Sequence, residues 1–272
     1  MSVWLEYTNN RQPETLFDTK ITLWNILSSI INKRASQCGL YLVGSTMNGF
    51  GGNISDADFC LLTDCATFLP SASFDEFNHT KVSVGRACGI ERLRWLMNVL
   101  QEEITLGEFH ATEMYIVYAK VPILRFIYNG NNSVDVDLCC NNVVGIRNTH
   151  LLYCYSKMDY RVRPLVITIK RWASKHNIND PKNMTLSSYS LVLMVLNFLQ
   201  IVSPPVLPSL QSIYTKKFSL NADIRYVYLH EKLPNEWISE NNQSLGELLL
   251  QFFEYYNDFK CQDLFTVLYA FH

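Results

Sequence analysis

"GSTMNGFGGNISDADFCLL", residues 44–62, is the stretch that decides the fold. Gly44 and Ser45 open a glycine-rich loop, and Asp56 and Asp58 follow at the start of an apolar run. The apolar segments LYLV and DFCLL on either side are short and bounded by Gly, Ser and Asp, which is typical of two buried strands joined by a loop. Residues i and i+2 of a strand point to the same face, so the two carboxylates are predicted to project together.

Paired carboxylates in this position indicate a cation site. Two adjacent negative charges repel unless something neutralises them, and Mg2+ favours carboxylate oxygens together with water and substrate phosphates. The Gly44–Ser45 amides and hydroxyl could hold phosphate oxygens opposite the metal. The loop has neither the ending of a P-loop nor the glycine spacing of a dinucleotide fingerprint. The alternative is that Asp56 caps a turn and Asp58 is merely solvated.

A third carboxylate is available further along the chain. The segment SVDVDLCC is strand-like and carries Asp135 and Asp137 on one face. Aspartate is rare in buried strands unless it has a functional or structural role. A third acidic ligand would complete a two-metal site.

The composition narrows the class of protein. The 272 residues carry a formal net charge of -2, so any nucleic acid must be held by a local patch or a partner. The opening MSVWLEYTNNRQPE lacks a signal-peptide pattern, and the longest apolar stretch is too short to span a bilayer. The eight cysteines include no CxxC pair and are interpreted as reduced thiols. We therefore expect a cytoplasmic protein without a membrane segment.

The character of the chain changes near its middle. A helical pattern over residues 14–34 precedes the opening motif, and strand-like segments alternate with a helical one up to about residue 140. From about residue 145 the patterns RPLVITIKRWASKH, LSSYSLVLMVLNFLQ and SLGELLLQFFEYYNDF are helical. The sequence thus predicts an α+β protein whose second half is mainly helical.

Six ordered motifs resemble those of a known family. They read GSTMNGFGGNISDADFCLL, AKVPILRF, VDVDLCCNNVVGIRNT, IKRWASKHNIND, TLSSYSLVLMVLNFLQ and SLGELLLQFFEYY. Together they resemble the non-canonical poly(A) polymerases and terminal uridylyltransferases of the DNA-polymerase-β-like nucleotidyltransferase superfamily, above all the germline-development (GLD) type of cytoplasmic poly(A) polymerase. The resemblance implies a polymerase-β-like nucleotidyltransferase domain, a mixed sheet with helices, at residues 15–140. Residues 1–14 and 141–272 would form a helical central (poly(A) polymerase-associated) domain, with the active site in the cleft between the two.

The resemblance also implies roles for individual residues. Asp137, which directly precedes LCCNN, matches the third metal ligand better than Asp135, and two Mg2+ or Mn2+ ions would be held by Asp56, Asp58 and Asp137. The triphosphate would contact Gly44, Ser45 and Lys170, the sugar Asn148 and Thr149, the base Ser188 and Tyr189, and the RNA strand Lys120. From the residues alone, other interpretations stay open: a helix cap for Thr149, a solvated charge for Lys170, buried core for Tyr189 and a surface lysine for Lys120.

The implied activity is transfer of AMP from ATP to the 3'-hydroxyl of RNA. No RNA-recognition motif, KH pattern or zinc knuckle is visible, so we expect an RNA-binding protein partner to supply specificity. After LLLQFFEYY the chain departs from the family into NDFKCQDLFTVLYAFH, which leaves the choice between ATP and UTP open. The alternatives are a terminal uridylyltransferase, a truncated inactive scaffold, and a relative acting on small acceptors or synthesising oligoadenylate.

Overall fold

A computed structural model describes residues 2–63, 80–130, 132–219, 224, 227, 233 and 237–258. The chain forms two compact units. The sheet unit comprises Gln12–Met47 and Ile54–Asn148, and the helical unit comprises residues up to Arg11, Asn48–Asn53 and the described residues from Thr149 onward. The predicted α+β class is confirmed. The assignment of Asn48–Asn53 to the helical unit is a feature that the sequence analysis did not anticipate.

The sheet unit is built on a five-stranded sheet in the order β1-β2-β5-β4-β3. The pairing of β2 with β5 is parallel, and the other neighbours are antiparallel. In chain order the elements are α2 (Glu14–Arg34), β1 (Gly39–Val43), α3 (Ser45–Asn48), β2 (Ala57–Leu62), α4 (Thr80–Thr105), β3 (Ala111–Val117), β4 (Ile123–Asn129) and β5 (Ser133–Cys140). The predicted strands on either side of the glycine-rich loop are confirmed as β1 and β2.

The two faces of this sheet differ in chemistry because side chains alternate along each strand. One face is apolar and packs with the apolar sides of α2 and α4 into a single core. Its fully buried members include Phe59 from β2, Phe126 from β4 and Leu138 from β5. The opposite face is where the intervening polar residues of β2, β4 and β5 lie.

The helical unit has its own hydrophobic core. Its helices are α1 (Val3–Asn10), the C-terminal part of α5 (Val143–Met158), α6 (Val162–Lys175), α7 (Ser188–Ile201), α8 (Leu210–Ile213) and α9 (Leu245–Asn257), with a 3-10 turn at Pro181–Asn183. The predicted helical second half is confirmed. A buried guanidinium fixes the approach to α9, since Arg161 Nη1 donates to the carbonyls of Asn241 at 2.8 Å and Gln243 at 3.0 Å while pairing with Asp159.

The cysteines that the structure describes form no disulfide with one another. Of those described, four are buried, namely Cys60, Cys88, Cys139 and Cys154, and two are partly buried, namely Cys38 and Cys140. Cys65 and Cys261 lie outside the described residues, as does the segment 259–272 in which the chain departs from the family pattern. In the part of the chain that the structure describes, no helix is both long and apolar enough to cross a membrane.

Candidate active site

The centre of the candidate site is the parallel pairing of β2 with β5. Asp58 and Asp137 are direct partners in that register. Neighbouring strands lie about 4.8 Å apart, so side chains at paired positions stand beside each other on one face. Asp135 is two residues before Asp137 and is exposed, whereas the intervening Val136 is buried, which confirms the predicted alternation on β5. One end of this strand pair therefore concentrates negative charge.

The crowding of carboxylates affects Asp56. Its pKa is raised above the ordinary carboxyl value, first because surrounding protein atoms displace water and then because the Asp137 and Asp135 charges are close. Arg125 and Lys20 lower the pKa of Asp56, but they do not cancel the rise. Asp56 nevertheless keeps solvent access, so a cation can approach it.

Arg125 is the principal counter-ion in the site. It is the cross-strand partner of Asp137 in the antiparallel pairing of β4 with β5. Its guanidinium binds both carboxylate oxygens, with Nε donating to Oδ1 at 2.7 Å and Nη2 donating to Oδ2. The hydrogen bonds that Arg125 donates to Asp137 raise the pKa of the guanidinium, which stays charged. The sequence analysis missed this residue. The pattern that could have found it is a basic side chain in the strand-like segment AKVPILRF, which lies on the same face of the sheet as the aspartates.

Gly44 and Ser45 lie at the turn from β1 into α3. Gly44 has a φ of +69° and faces Asp58, and a Cβ at this position would overlap the Asp58 carboxylate. Only glycine combines that conformation with so close an approach. Ser45 is half-buried and begins α3. Asp58 is likewise half-buried, and its carboxylate faces Gly44.

A second basic residue that sequence reasoning missed is Lys20 of α2. Its side chain is fully buried, and its ammonium group donates to the backbone carbonyl of Asp56 at 2.9 Å. The signal was available, because Lys20 falls on the apolar stripe of α2 together with Leu23 and Leu27. A lysine on such a stripe is rarely buried without a partner.

Two basic residues of α6 hold the glycine-rich loop by its carbonyls. Lys170 Nζ donates to Phe50 O at 2.9 Å, and Arg163 Nε donates to Gly49 O at 3.0 Å. Residues seven apart share one helix face, so both project to the same side of α6. Lys170 is half-buried, and the alternative of a solvated surface charge is therefore wrong.

The four residues predicted to contact the nucleoside lie in two helices, α5 and α7. Asn148 and Thr149 are consecutive residues of α5, which begins at Val143, so Thr149 is inside the helix and its interpretation as a cap is wrong. Ser188 and Tyr189 occupy the first turn of α7, as predicted.

Ser188 and Tyr189 have different surroundings. The Ser188 hydroxyl exchanges hydrogen bonds with the side-chain amide of Asn179, at 3.1 and 3.2 Å. Tyr189 is partly buried against the helical core, and burial raises the pKa of its phenol. Its environment thus combines core packing with partial access. Lys120 is exposed in the bend between β3 and β4.

The donor chemistry of the acidic cluster fits divalent cations. Asp56, Asp58 and Asp137 supply the oxygen ligands that Mg2+ and Mn2+ prefer, and the pKa of Asp56 is raised by burial and then by the nearby Asp137 and Asp135 charges. Among the described residues, no three His, Cys, Asp or Glu side chains are already arranged around a common metal position. Arg125 accompanies the cluster as its counter-ion, with a hydrogen bond to each oxygen of Asp137.

Comparison with known proteins gives one family model and several close likenesses. Residues 1–157 match the model described as poly(A) RNA polymerase, mitochondrial-like, central palm domain. The chain is 41% identical over 262 residues to the poly(A) RNA polymerase gld-2 homolog A of Drosophila melanogaster, covering 95% of this chain. It spans only 18% of the length of that fly protein.

Solved structures give the same picture. The structure of a GLD-2/RNP-8 complex superposes with a TM-score of 0.81 at 35% identity, covering 95% of this chain and 74% of that chain. The structure of the non-canonical poly(A) polymerase complex GLD-2 with GLD-3 gives a TM-score of 0.77 at 35% identity, over 94% of this chain and 75% of that chain. Both likenesses extend over almost the whole chain.

Proposed function

This chain belongs to the family of mitochondrial-like poly(A) RNA polymerase central palm domains, and from that premise we propose that it transfers AMP from ATP to the 3'-hydroxyl of RNA. The observation that carries the proposal is the parallel pairing of Asp58 with Asp137, with Gly44 packed directly against Asp58. Family membership supplies the reaction class, and this geometry supports a site of the kind the reaction requires.

The proposed reaction is a single displacement at phosphorus. The 3'-hydroxyl oxygen of RNA forms a bond to the α-phosphorus of ATP, and the bond from that phosphorus to the α,β-bridging oxygen breaks. Pyrophosphate leaves, and the hydroxyl proton passes to the carboxylate cluster and then to solvent, which Asp56 and Asp135 both reach. Asp56, Asp58 and Asp137 would hold two Mg2+ or Mn2+ ions, which supply charge neutralisation and acidify the hydroxyl when bound.

We propose that Arg125 yields to the incoming cation during the cycle. Its guanidinium uses one lone pair on each oxygen of Asp137, and its positive charge repels a cation that binds the same carboxylate. Exchange of one cation for another keeps the carboxylate neutralised throughout, which avoids the cost of a half-buried unpaired charge. The released guanidinium would lie next to the polyphosphate, a group to which arginine binds readily.

The remaining residues would position the nucleotide and the RNA. Gly44, Ser45 and Lys170 would contact the triphosphate, since backbone amides, a hydroxyl and an ammonium are the usual phosphate donors. Asn148 and Thr149 would contact the ribose. Ser188 and Tyr189 would contact the base, with the tyrosine ring available for stacking, and Lys120 would lie near the RNA strand.

We further propose that RNA specificity comes from an RNA-binding protein partner in the cytoplasm. The net charge of -2 gives the chain no overall attraction for RNA, so a partner is needed for tight binding. GLD-2 has been solved in complexes with RNP-8 and with GLD-3, which supports a partner-dependent arrangement. Tight sequence-specific RNA binding by this chain alone at physiological salt would contradict the partner requirement.

The decisive experiment is extension of a labelled RNA oligonucleotide with each of the four NTPs, in Mg2+ and in Mn2+. We expect extension with ATP that is lost in Asp58→Asn, a variant that keeps the shape of the side chain and removes its charge. Asp18→Asn, an exposed aspartate of α2, is the matched control. Extension with UTP instead would replace the proposal by a terminal uridylyltransferase, and no extension with a partner present would favour a scaffold.

A further inference from the structure

We propose that Lys20 is a positioning residue, whose buried ammonium clamps both ends of the glycine-rich segment 44–56 and so sets where Asp56 and Asp58 stand. The inference rests on the proposed function in one respect, namely that these aspartates hold the divalent cations. It concerns a residue of α2 that the family motifs do not include. The claim is that α2, besides covering the core, aligns the carboxylate site.

Lys20 is buried to a degree that requires explanation. Its side chain has 0% exposure, and it lies on the same stripe of α2 as Leu23 and Leu27, which are also fully buried. A buried ammonium is costly unless its protons are all hydrogen-bonded. A leucine at this position would fill the core without an ammonium group to satisfy.

The ammonium group is held by oxygen acceptors at hydrogen-bonding distance. Nζ lies 3.0 Å from Gln12 Oε1, 3.1 Å from Thr46 Oγ1, 3.0 Å from Ser55 Oγ and 2.9 Å from Asp56 O. An ammonium has only three protons, so these acceptors share them. Every donor is therefore used, and the cage specifies lysine rather than the planar, larger arginine.

The cage joins two parts of the sequence that flank the glycine-rich loop. Thr46 follows directly after the Gly44–Ser45 pair, and Asp56 is the first residue of the acidic motif. The Thr46 hydroxyl also lies 3.3 Å from Asp56 O, so the two segments touch at the point where Lys20 binds them. The backbone carbonyl of Asp56 is thus held from two directions, which fixes the point on the chain from which its side chain extends.

A positioning role and a simple charge effect make opposite predictions. Lys20 is a positive charge close to Asp56 and Asp58: both carboxylates favour its charged form, and Lys20 in turn lowers the pKa of Asp56. If charge were all that mattered, removing it would strengthen cation binding because a repulsion would disappear. If Lys20 positions the ligands, removing it weakens cation binding because the carboxylates lose their alignment.

The test is Mn2+ affinity of the chain without nucleotide or RNA, measured by calorimetry or electron paramagnetic resonance. We expect Lys20→Met to bind Mn2+ about tenfold more weakly than wild type. Lys33→Met, an exposed lysine of the same helix, should bind as wild type does. Leu27→Ala, which damages the same buried stripe without touching the cage, corrects for loss of stability and should also retain its affinity.

A second variant keeps the test decisive if Lys20→Met fails to fold. Thr46→Val removes one acceptor while leaving the lysine charge in place, and we expect its Mn2+ affinity to fall severalfold. Unchanged or tighter binding in the folded variants would overturn the positioning role. Extension of RNA by wild type separates the two proposals. If wild type does not extend RNA but Lys20→Met binds Mn2+ more weakly, only the proposed function is overturned. If wild type extends RNA but Lys20→Met binds Mn2+ with unchanged affinity, only the positioning role of Lys20 is overturned.

Discussion

Gly44 and Asp58 are packed so closely that a Cβ at position 44 would lie 2.8 Å from Asp58 Cγ. The glycine also has a φ of +69°, a conformation that other residues adopt at a cost. Two separate requirements, backbone conformation and space for the carboxylate, therefore converge on one residue. The Gly-Ser pair thus has a steric role in addition to any contact with phosphate.

Gly44→Ala should cost far more activity than stability. The backbone strain is about 1–2 kcal/mol, while displacement of Asp58 by a few tenths of an ångström to 1 Å should reduce RNA extension about a hundredfold. Gly107→Ala is the matched control, since Gly107 has a φ of +77° and an added Cβ there would meet no atom of the described residues within 4 Å. RNA extension and melting temperature are measured for both. Equal loss of activity in the two variants would show that strain alone matters.

Arg125→Met should strengthen cation binding by the free chain. The guanidinium occupies both oxygens of Asp137, so removing it releases a ligand that the cation must otherwise compete for. We expect Mn2+ affinity to rise about threefold to tenfold, with Arg125→Lys in between because lysine binds a carboxylate through a single point of charge. Calorimetric titration gives the values. Weaker binding would mean that Arg125 holds Asp137 in its cation-ready position.

Asp56→Asn should stabilise the metal-free protein at neutral pH. A carboxyl with a raised folded pKa binds its proton more tightly when folded, so stability falls as the pH rises from the ordinary value of about 3.9 through the raised value. Asparagine does not ionise, so the variant does not lose stability in this way as the pH rises. The variant should therefore melt higher than wild type at pH 7 in EDTA, and the difference should vanish as the pH approaches about 4.

The control for this pH dependence is Asp18→Asn in the exposed part of α2. Its melting temperature should follow that of wild type across the same pH range. A melting temperature for Asp56→Asn at or below that of wild type at pH 7 would contradict the electrostatic description of the site. RNA extension by Asp56→Asn should be lost in any case, because the amide is a poor ligand for Mg2+.

Lys170→Met should raise the KM for ATP. A charge-assisted hydrogen bond to phosphate contributes about 1.5–3 kcal/mol, which corresponds to a rise of about tenfold to a hundredfold. Lys175→Met on the same helix is the control, since that lysine is 55% exposed and lies 3.5 Å from Glu6. Steady-state kinetics at saturating RNA separate KM from kcat. A fall in kcat at constant KM would instead assign Lys170 to holding the loop through Phe50 O.

Local patterns in the sequence were sufficient for the strands and for the acidic motif. The alternation in SVDVDLCC predicted that Asp135 and Asp137 share a face, and β5 has that alternation. The helices after residue 145 could also be predicted from the sequence, because their apolar residues recur at helical spacing. Arg125, by contrast, was overlooked. It is far from Asp137 in the sequence, and the two residues come into contact only because β4 pairs with β5.

By itself the sequence determined the α+β class, the strands that flank the glycine-rich loop and the family, because these depend on residue type and local spacing. Tertiary structure alone decided that Asp58 stands beside Asp137, that Arg125 neutralises the latter and that Lys20 is enclosed by oxygen atoms. The physical reason is that strand register and burial are set by packing between segments far apart in the chain. A charged side chain then becomes a ligand, a counter-ion or a clamp according to its neighbours.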